Sequence, residues 1–264
     1  MKRLKIIKIG GNVIDDAIAM ENFLSDFSKI KCAKILVHGG GKLATDIAKR
    51  LGVSQALLNG RRITDVETLK ITTMVYAGLI NKQIVASLQS KCINAIGLSG
   101  ADGNSIKTKK REVVDIDFGF VGDVSADSVN ANFIFSLLEV GISPVFSAIT
   151  HDGNGQLLNT NADTIASALA IQLSKLYDVE LMYCFEKKGV LKNAEDDSSV
   201  IHEITKTGYK QLLQEGIVSK GMIPKLDTAF SAIQNGVQSV VILHATDLLN
   251  KIYKNETIGT TLVA

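Results

Sequence analysis

The sequence is poor in the residues that build metal sites, disulfide frameworks and hinges. It has three cysteines, four histidines and two prolines among 264 residues. The cysteines are odd in number and widely spaced, which predicts reduced, partly buried thiols in a cytoplasmic protein. The histidines are equally scattered, so no metal site is expected. The scarcity of proline leaves no obvious hinge between separate domains.

Long apolar runs and an excess of one charge are also absent. No stretch approaches the roughly 18 apolar residues of a membrane helix. Residues 1–4 lead directly into a strand pattern, so neither a membrane partner nor a signal peptide is expected. Lysine plus arginine number 29 against 27 aspartate plus glutamate, a net charge of +2. This balance gives no electrostatic reason to expect a nucleic-acid partner, and we interpret the basic segment 107–111 as a solvated loop.

Two common phosphate-binding motifs are missing as well. The motif GxxxxGK[ST] fails because Leu43 follows Gly41-Lys42, and GxGxxG does not occur. Glycines nevertheless follow two apolar runs, in Lys8-Ile9-Gly10-Gly11 and in Val37-His38-Gly39-Gly40-Gly41. Backbone N–H groups at such turns bind anions, so these loops predict a site for phosphate.

The hydrophobic periodicity predicts an α/β fold. Strand patterns over residues 5–9 and 34–38 each lead through glycines into helical patterns over 15–30 and 42–51, which is typical of parallel β-α-β units. We therefore predict one domain of residues 1–264, a sandwich of helices around a mostly parallel sheet. The other predicted elements are strands over 94–98, 143–147, 179–185, 237–243 and 257–263, helices over 65–90, 127–140, 162–174, 205–214 and 223–235, and β-ribbons over 56–64 and 112–124.

Charged residues interrupt two of these patterns. Lys8 stands in an otherwise apolar strand, where a charge costs several kcal/mol unless it is paired. It is either a cation aimed at a ligand or an edge-strand lysine whose ammonium reaches water. Lys225, after Pro224 in a first helical turn, opposes the helix dipole, and an anionic ligand would resolve that conflict. Arg62 either grips a carboxylate or is simply solvated.

Two polar segments admit a structural and a functional interpretation. Asn161 and Asp163 fit ordinary capping of the helix that follows them, with Asn161 as N-cap. Residues 39–41 fit a tight turn, but three successive glycines lose more conformational entropy than a turn requires. Close approach of the backbone to a ligand is the better explanation for this loop.

Taken together, these segments resemble the amino acid kinase family, and within it the enzymes that phosphorylate N-acetyl-L-glutamate. Each segment is short, but seven occur in the family's order, which makes the match specific. The resemblance implies a three-layer αβα sandwich with an open, mainly parallel central sheet, as in carbamate kinase. The matching segments are Ile7-Lys8-Ile9-Gly10-Gly11, Val37-His38-Gly39-Gly40-Gly41, Asn59-Gly60-Arg61-Arg62-Ile63-Thr64, Gly97-Leu98-Ser99-Gly100 with Asp102-Gly103, Asn159-Thr160-Asn161-Ala162-Asp163, Gly221-Met222-Ile223-Pro224-Lys225 and Ile258-Gly259-Thr260.

The implied reaction is the ATP-dependent phosphorylation of a side-chain carboxylate of an acylated glutamate, in arginine biosynthesis. ATP and Mg²⁺ would be the cofactors. An N-terminal lobe, residues 1–175, would bind the amino-acid substrate and form a homodimer, and a C-terminal lobe, residues 176–264, would bind ATP. N-succinyl-L-glutamate or free glutamate as substrate, and a catalytically inactive ligand-binding sensor, remain open alternatives.

The resemblance also carries roles over to matched positions. Lys8 and Lys225 would stabilise charge on the phosphoryl group in flight, and Asp163 would organise the two lysines. The residues expected to bind the acylated glutamate are Gly40, Gly41, Arg62 and Asn159, and those expected at the nucleotide are Gly10, Gly11, Glu186 and Gly189.

One segment departs from the family's pattern. Phe185-Glu186-Lys187-Lys188-Gly189 stands where the family usually has Ser-Asp-Val-x-Gly, so Glu186 would replace the aspartate. The sequence also lacks the N-terminal helix of arginine-inhibited hexameric relatives, and in this it resembles the arginine-insensitive homodimers.

Overall fold

The computed structural model describes residues 1–58, 60–125, 127–193, 195–218, 222–254 and 257–264. Its helices are α1 (Gly11–Asp15), α2 (Ala17–Ser28), α3 (Gly41–Arg50), α4 (Val66–Thr73), α5 (Asn81–Ser90), α6 (Ala131–Glu139), α7 (Ala162–Leu173), α8 (Lys206–Gln214), α9 (Ile223–Gln234) and α10 (Leu248–Tyr253). Its strands are β1 (Arg3–Ile9), β2 (Ala33–His38), β3 (Ala56–Leu58), β4 (Arg61–Ile63), β5 (Ala95–Leu98), β6 (Lys109–Lys110), β7 (Gly122–Asp123), β8 (Ser143–Ser147), β9 (Ile149–His151), β10 (Leu157–Asn159), β11 (Asp178–Phe185), β12 (Glu203–Ile204), β13 (Ser239–His244) and β14 (Thr260–Leu262).

An eight-stranded sheet forms the centre of the molecule. Its strand order is β12-β14-β13-β11-β1-β2-β8-β5. Within the described residues, neighbouring strands of this sheet are parallel except for the β13–β14 pair. The predicted α/β class with a mainly parallel open sheet is confirmed. Ile6, Ile7 and Ile9 of β1 are fully buried, as expected for a parallel strand covered by helices on both faces.

The helices form one layer on each face of this sheet. α2 packs with α5 and α10, whereas α7 packs with α6 and α9. Alternation of side chains along the strands assigns each layer to a face. Lys8 of β1 reaches Asp163 of α7, whereas His38, which is in register with Ile9, reaches Asn81 of α5. The β1 side chains at positions 8 and 9 therefore face opposite layers.

The chain changes its direction of travel across the sheet between β1 and β11. From β1 it builds β2, β8 and β5 on one side, and it returns to build β11, β13 and β14 on the other. In open α/β sheets, ligands bind beyond the carboxyl ends of the strands at such a point. Lys8 and Gly10 lie at this end of β1, and Phe185 is the last residue of β11. The topology thus makes this edge the expected place for a ligand.

The helix predicted over residues 15–30 is confirmed as α2, and a short helix that was not predicted, α1, precedes it. Asp16 has an extended backbone (φ −109°, ψ 113°) and separates α1 from α2. Its Oδ1 accepts hydrogen bonds from the N–H groups of Ile18 at 2.9 Å and Ala19 at 3.0 Å. This capping carboxylate sets the start of α2 at Ala17, two residues later than predicted.

The bounds predicted between residues 112 and 140 are also wrong. The antiparallel pair of the second ribbon is β6 with β7, so most of the predicted segment is the connection between these strands. The following helix begins at Ala131 and not at Asp127. Asn130 caps it by accepting a hydrogen bond from the Phe133 N–H at 3.2 Å. Asparagine and aspartate are equally good N-cap residues, so the sequence offered two possible starts.

The helix predicted over residues 65–90 has an irregular middle. Asp65 caps it as expected, accepting a hydrogen bond from the Thr68 N–H at 2.7 Å. Between α4 and α5, however, Met74–Ile80 is π-helical. Such turns are rare and often occur at functional sites, and an apolar periodicity does not separate them from α-helix.

The first ribbon is confirmed and another hairpin was not predicted. β3 and β4 pair antiparallel, with Leu57 opposite Arg62. Asn59 of the predicted turn, and Gly221 of the segment before α9, lie outside the described residues. β9 and β10 form an unpredicted hairpin with Leu158 opposite Thr150. None of the helices in the described residues has the length and apolar character that crossing a bilayer requires.

Candidate active site

Lys8 and Asp163 meet at the carboxyl edge of the sheet. Lys8 Nζ lies 2.7 Å from Asp163 Oδ1, and the two side chains are only 10% and 15% exposed. Asp163 belongs to the first turn of α7. Asn161 caps this helix and accepts hydrogen bonds from the N–H groups of Asp163 at 2.7 Å and Thr164 at 3.2 Å. The predicted capping is confirmed, and it holds the Asp163 carboxylate beside Lys8.

Lys225 joins the same cluster from the opposite part of the chain. It lies in the first turn of α9, directly after Pro224. Burial lowers the pKa of Lys225, the Asp163 carboxylate opposes this effect, and the Lys8 ammonium lowers the pKa further. Two ammonium groups therefore lie near Asp163, and both α7 and α9 have their amino-terminal ends at this edge. Ammonium groups and helix amino termini together suit a polyanionic ligand.

The ring of Phe185 contacts both lysines, a contact that no pattern in the sequence indicates. The ring centroid lies 3.7 Å from Lys225 Nζ and 4.8 Å from Lys8 Nζ. Gly10 packs on the same ring, since a Cβ at this position would lie 3.0 Å from Phe185 Cδ1. The Gly10 N–H donates to the Cys184 carbonyl at 2.8 Å. This donor is thus engaged within the sheet, and nucleotide contacts of Gly10 and Gly11 stay a prediction.

The glycine loop at residues 39–41 adjoins this cluster. Gly40 has φ 150° and precedes α3. A Cβ on Gly40 would lie 2.2 Å from Ile80 Cδ1 and 3.1 Å from Tyr76 Cδ1, both in the π-helical segment. The φ of Gly40 strains any residue with a Cβ, so the backbone favours glycine here independently of any ligand. A Cβ on Gly39 would be 4.0 Å from the Ala162 Cβ, which places the loop beside the start of α7.

His38 is hydrogen-bonded to the glycine loop, and its hydrogen bonds define which ring nitrogen carries the proton. The Asn81 Nδ2 donates to the Val145 carbonyl at 2.9 Å and lies 3.0 Å from His38 Nε2. Because the Asn81 amide donates to both groups, Nε2 is an acceptor and the ring proton lies on Nδ1. His38 Nδ1 then donates to the Gly39 carbonyl at 2.9 Å. Burial lowers the pKa of His38 to about 4, so this tautomer is neutral.

His38 is expected to make the protein labile to mild acid. Its pKa is near 6.5 when unfolded and about 4 when folded, so the unfolded state binds more protons between these values and stability falls as pH falls through that window. From pH 7 to pH 4.5, His38 should cost about 2 kcal/mol of unfolding free energy. Urea denaturation across this range should show a smaller loss for His38→Gln than for the unmodified protein. Parallel curves for the two proteins would contradict the assigned neutral histidine.

Arg62 connects the first ribbon to the glycine loop. Its Nη2 donates to the Gly41 carbonyl at 2.8 Å and to Thr45 Oγ1 at 2.9 Å. Its Nη1 donates to Gln55 Oε1. A guanidinium has five N–H donors, so donors remain for a ligand carboxylate. The structure thus holds Arg62 at the loop, close to Gly41.

Asn159 contacts the residue that follows the same ribbon. Its Nδ2 donates to Thr64 Oγ1 at 3.0 Å, and its backbone N–H donates to the Phe120 carbonyl at 2.9 Å. Thr64 is fully buried and follows β4. Arg62 lies in β4, and Asn159 is hydrogen-bonded to the residue that follows β4. The two residues predicted to bind the amino-acid substrate are therefore held at the same strand.

Glu186 and Gly189 lie in different surroundings. Glu186 is exposed and, with Phe185, lines a cleft of about 440 Å³ beside α2 and the ends of β11 and β13. Its carboxylate also raises the pKa of Lys225. Gly189 is buried, and a Cβ there would lie 2.6 Å from Thr260 Oγ1. That oxygen accepts the Val190 N–H at 2.8 Å. A Cβ on Gly189 would also lie 3.0 Å from Val200 Cγ1, so Gly189 is packed between β14 and Val200.

Curated relatives match this chain over its full length. An acetylglutamate kinase from Cytophaga hutchinsonii is 55% identical over 265 residues and covers 100% of both chains. An acetylglutamate kinase from Phocaeicola vulgatus is 52% identical over 99% of this chain and 98% of its own. One from Methanopyrus kandleri is 38% identical, over 93% of this chain and 97% of its own.

Solved structures with little sequence identity share the fold. The N-acetylglutamate synthase of Neisseria gonorrhoeae, complexed with coenzyme A and N-acetyl-glutamate, superposes with a TM-score of 0.84 at 18% identity. All of this chain matches, and it spans 59% of the synthase chain. The carbamate kinase of Giardia lamblia bound to AMP-PNP gives a TM-score of 0.70 at 16% identity, over 99% of this chain and 98% of its own.

A family model described as "Amino acid kinase family" matches residues 3–244 of this chain. With this match over most of the sequence and relatives more than half identical from end to end, the chain belongs to the amino acid kinase family.

Proposed function

We propose that this protein transfers the γ-phosphoryl group of ATP to the side-chain carboxylate of N-acetyl-L-glutamate. The products are N-acetylglutamyl 5-phosphate and ADP, and the reaction belongs to arginine biosynthesis. The observation that carries the proposal is the cluster of Lys8, Asp163 and Lys225 next to the glycine loop. The 55% identity to an acetylglutamate kinase supports the same substrate.

The nucleophile requires no general base. A glutamate-type carboxyl has a pKa near ~4.3, so it is already ionised at neutral pH. One carboxylate oxygen forms a bond to the γ-phosphorus, and the bond from this phosphorus to the β–γ bridging oxygen breaks. The electron pair leaves with ADP. Asp163 therefore has no proton to remove, and its ion pair with Lys8 fits an orienting role.

The difficulty of the reaction is charge repulsion between a carboxylate and a triphosphate. Lys8 and Lys225 place two ammonium groups where negative charge accumulates during transfer. They act in a partly dehydrated site, in which fixed charges are worth more than in water. Catalysis by this chain is therefore positioning combined with electrostatic stabilisation.

The residues present fit a magnesium ion that arrives with the nucleotide. Across the described part of the chain, no group of three or more His, Cys, Asp and Glu side chains could hold a metal by itself. Mg²⁺ commonly retains waters and binds through phosphates with one or two carboxylates. Asp163 and Glu186 are the carboxylates near Lys225. Bound Mg²⁺ would neutralise phosphate charge.

Arg62→Lys is expected to weaken binding of the amino-acid substrate more than it slows transfer. Lysine keeps the charge but loses the planar fork that contacts Gly41, Thr45 and Gln55. We expect KM for the acylated glutamate to rise roughly 10-fold or more while kcat changes less. Steady-state kinetics with ATP saturating measures both constants. A fall in kcat at unchanged KM would contradict the binding role.

Hydroxylamine trapping tests the proposed function directly. Purified protein with Mg-ATP is given N-acetylglutamate, N-succinylglutamate, glutamate or aspartate in separate reactions. Hydroxylamine displaces phosphate from an acyl phosphate, and the resulting hydroxamate forms a coloured complex with iron. We expect product with N-acetylglutamate. Product only with N-succinylglutamate would correct the acyl group, and ATP binding without any product would favour a ligand sensor.

The proposal includes an assembly and a location that follow from the family resemblance. We expect a homodimer, with substrate in the lobe of residues 1–175 and ATP in the lobe of residues 176–264, in the cytoplasm. Met74 and Leu79 of the long helical segment are 56% and 43% exposed, so they supply apolar surface for a second copy. Light scattering of the purified protein measures the mass of the assembly.

A further inference from the structure

The ring of Phe185 is fixed from several sides. Phe185 is the last residue of β11 and is only 7% exposed. It stacks on Tyr183, two residues earlier on the same face of the strand, with ring centroids 6.1 Å apart and planes within 5°. Gly10 of the neighbouring chain segment approaches the ring edge closely enough that a Cβ would be 3.0 Å away. The ring is therefore a rigid surface at the carboxyl edge of the sheet.

Both lysines of the cluster lie over this surface. Lys225 Nζ is 3.7 Å from the ring centroid and Lys8 Nζ is 4.8 Å away. Both distances are inside the roughly 6 Å range of cation–π attraction. Water competes less with this attraction in a partly buried site, and Lys225 is half-buried.

The two lysines differ in their other partners. Lys8 is paired with Asp163 at 2.7 Å. Lys225 forms no ion pair within 4.0 Å in the residues that the structure describes, and Lys8 repels it. The Phe185 ring is thus the closest attractive group described for the Lys225 ammonium. The Asp163 and Glu186 carboxylates attract Lys225 from more than 4.0 Å away. The ring attracts the ammonium in direct contact and does not neutralise it.

We propose that Phe185 is a positioning residue that holds the Lys225 and Lys8 ammonium groups side by side at full charge for the transferring phosphoryl group. This inference rests on the proposed function for its catalytic consequence. The holding of the lysines by the ring does not depend on the substrate. It can therefore be measured separately.

Fluorination of the ring provides the sharpest test. Amber suppression places phenylalanine, 4-fluoro-, 3,5-difluoro- and 3,4,5-trifluorophenylalanine at position 185, which weakens the negative face of the ring while nearly keeping its size. We expect kcat to fall stepwise along the series, by about 10-fold at the trifluoro ring, since cation–π attraction at a dehydrated site is of this order. In Phe185→Leu, which removes the ring, kcat should fall at least as far.

The same series at Phe230 is the matched control. Phe230 is 5% exposed and stacks on Tyr209 with centroids 5.2 Å apart, on the helix that also carries Lys225. We expect kcat to be unchanged there. A flat kcat along the Phe185 series, at unchanged melting temperature, would overturn the proposal even if the leucine variant were inactive or unfolded.

A second measurement separates this inference from the proposed function. NMR titration of lysine ¹³Cε resonances in the protein without substrate reports the pKa of Lys225. We expect this pKa to fall along the fluorinated series, because a weaker ring stabilises the ammonium form less. That result with an inactive unmodified protein would retain the lysine-holding role and reject the kinase function. Activity on an acylated glutamate with an unchanged pKa and a flat kcat would do the reverse.

Discussion

Replacing Lys225 by alanine is expected to lower kcat by about 10²-fold or more, which is the range for losing one preorganised charge donor. The ammonium lies at the carboxyl edge of the sheet, over Phe185 and near Lys8 and Asp163. It stabilises charge that develops only during transfer, so KM for ATP should change less than kcat. Hydroxamate formation under saturating substrates measures the effect.

Lys8→Ala should lower kcat by a similar factor for the same reason, and it should also lower the free energy of unfolding. It removes the ion-pair partner of Asp163, and loss of one partner of a largely buried ion pair costs about 3–5 kcal/mol. Lys225→Ala leaves that ion pair intact and is the cleaner variant. Lys70→Ala is the control, because Lys70 is an exposed lysine of α4 that pairs with Glu67 at the surface. Near-normal kcat in both cluster variants would refute their assignment.

Gly40→Ala is expected to reduce both stability and activity. The φ of 150° at this position strains any residue with a Cβ, and the new Cβ would lie 2.2 Å from Ile80 Cδ1, so the Ile80 side chain or the loop must move. Overpacking of this kind costs about 1–3 kcal/mol. A shift of about 1 Å in a catalytic loop can cost about 10²-fold in rate, and we expect a loss of that order in kcat/KM for the acylated glutamate. Urea denaturation and steady-state kinetics measure the two effects.

Gly52→Ala is the comparison variant at a positive φ where no steric collision occurs. Gly52 follows α3 and also has a positive φ, of 73°, but among the described residues a Cβ there would meet no tertiary neighbour within 4 Å. Its substitution should cost only about 1–2 kcal/mol of backbone strain and leave kcat/KM intact. The double variant Gly40→Ala/Ile80→Ala should regain part of the lost activity. If it does not, Ile80 is not what excludes a side chain at Gly40.

The local elements of this fold are largely readable from the sequence because their causes are local. Apolar runs followed by glycine predict β1 and β2, and Asp65 and Asn161 cap their helices as their positions suggest. The errors in helix bounds also have local causes, because two neighbouring residues can cap the same helix. Asp16 ends α1 and caps α2, and Asn130, not Asp127, is the N-cap of α6. Each reflects two capping or helical signals of similar strength.

The chemistry of the site is partly readable for a related reason. Lys8 conflicts with an apolar strand and Lys225 with a helix dipole, and such conflicts mark a ligand without saying where it binds. The sequence does not pair these residues, since 217 positions separate them in the numbering. Only the parallel pairing of β1 with β11, and the packing of α7 on α9, brings both to Asp163.

By itself, then, the sequence determined the strand and helix order, the glycine loops and the residues whose charge needs an explanation. The tertiary structure decided which of them meet. It placed the Phe185 ring against both lysines, the Ile80 side chain against Gly40, and the Asn81 amide against His38. These contacts join residues far apart in the chain, and they depend on side-chain shape and strand register, which no local pattern encodes.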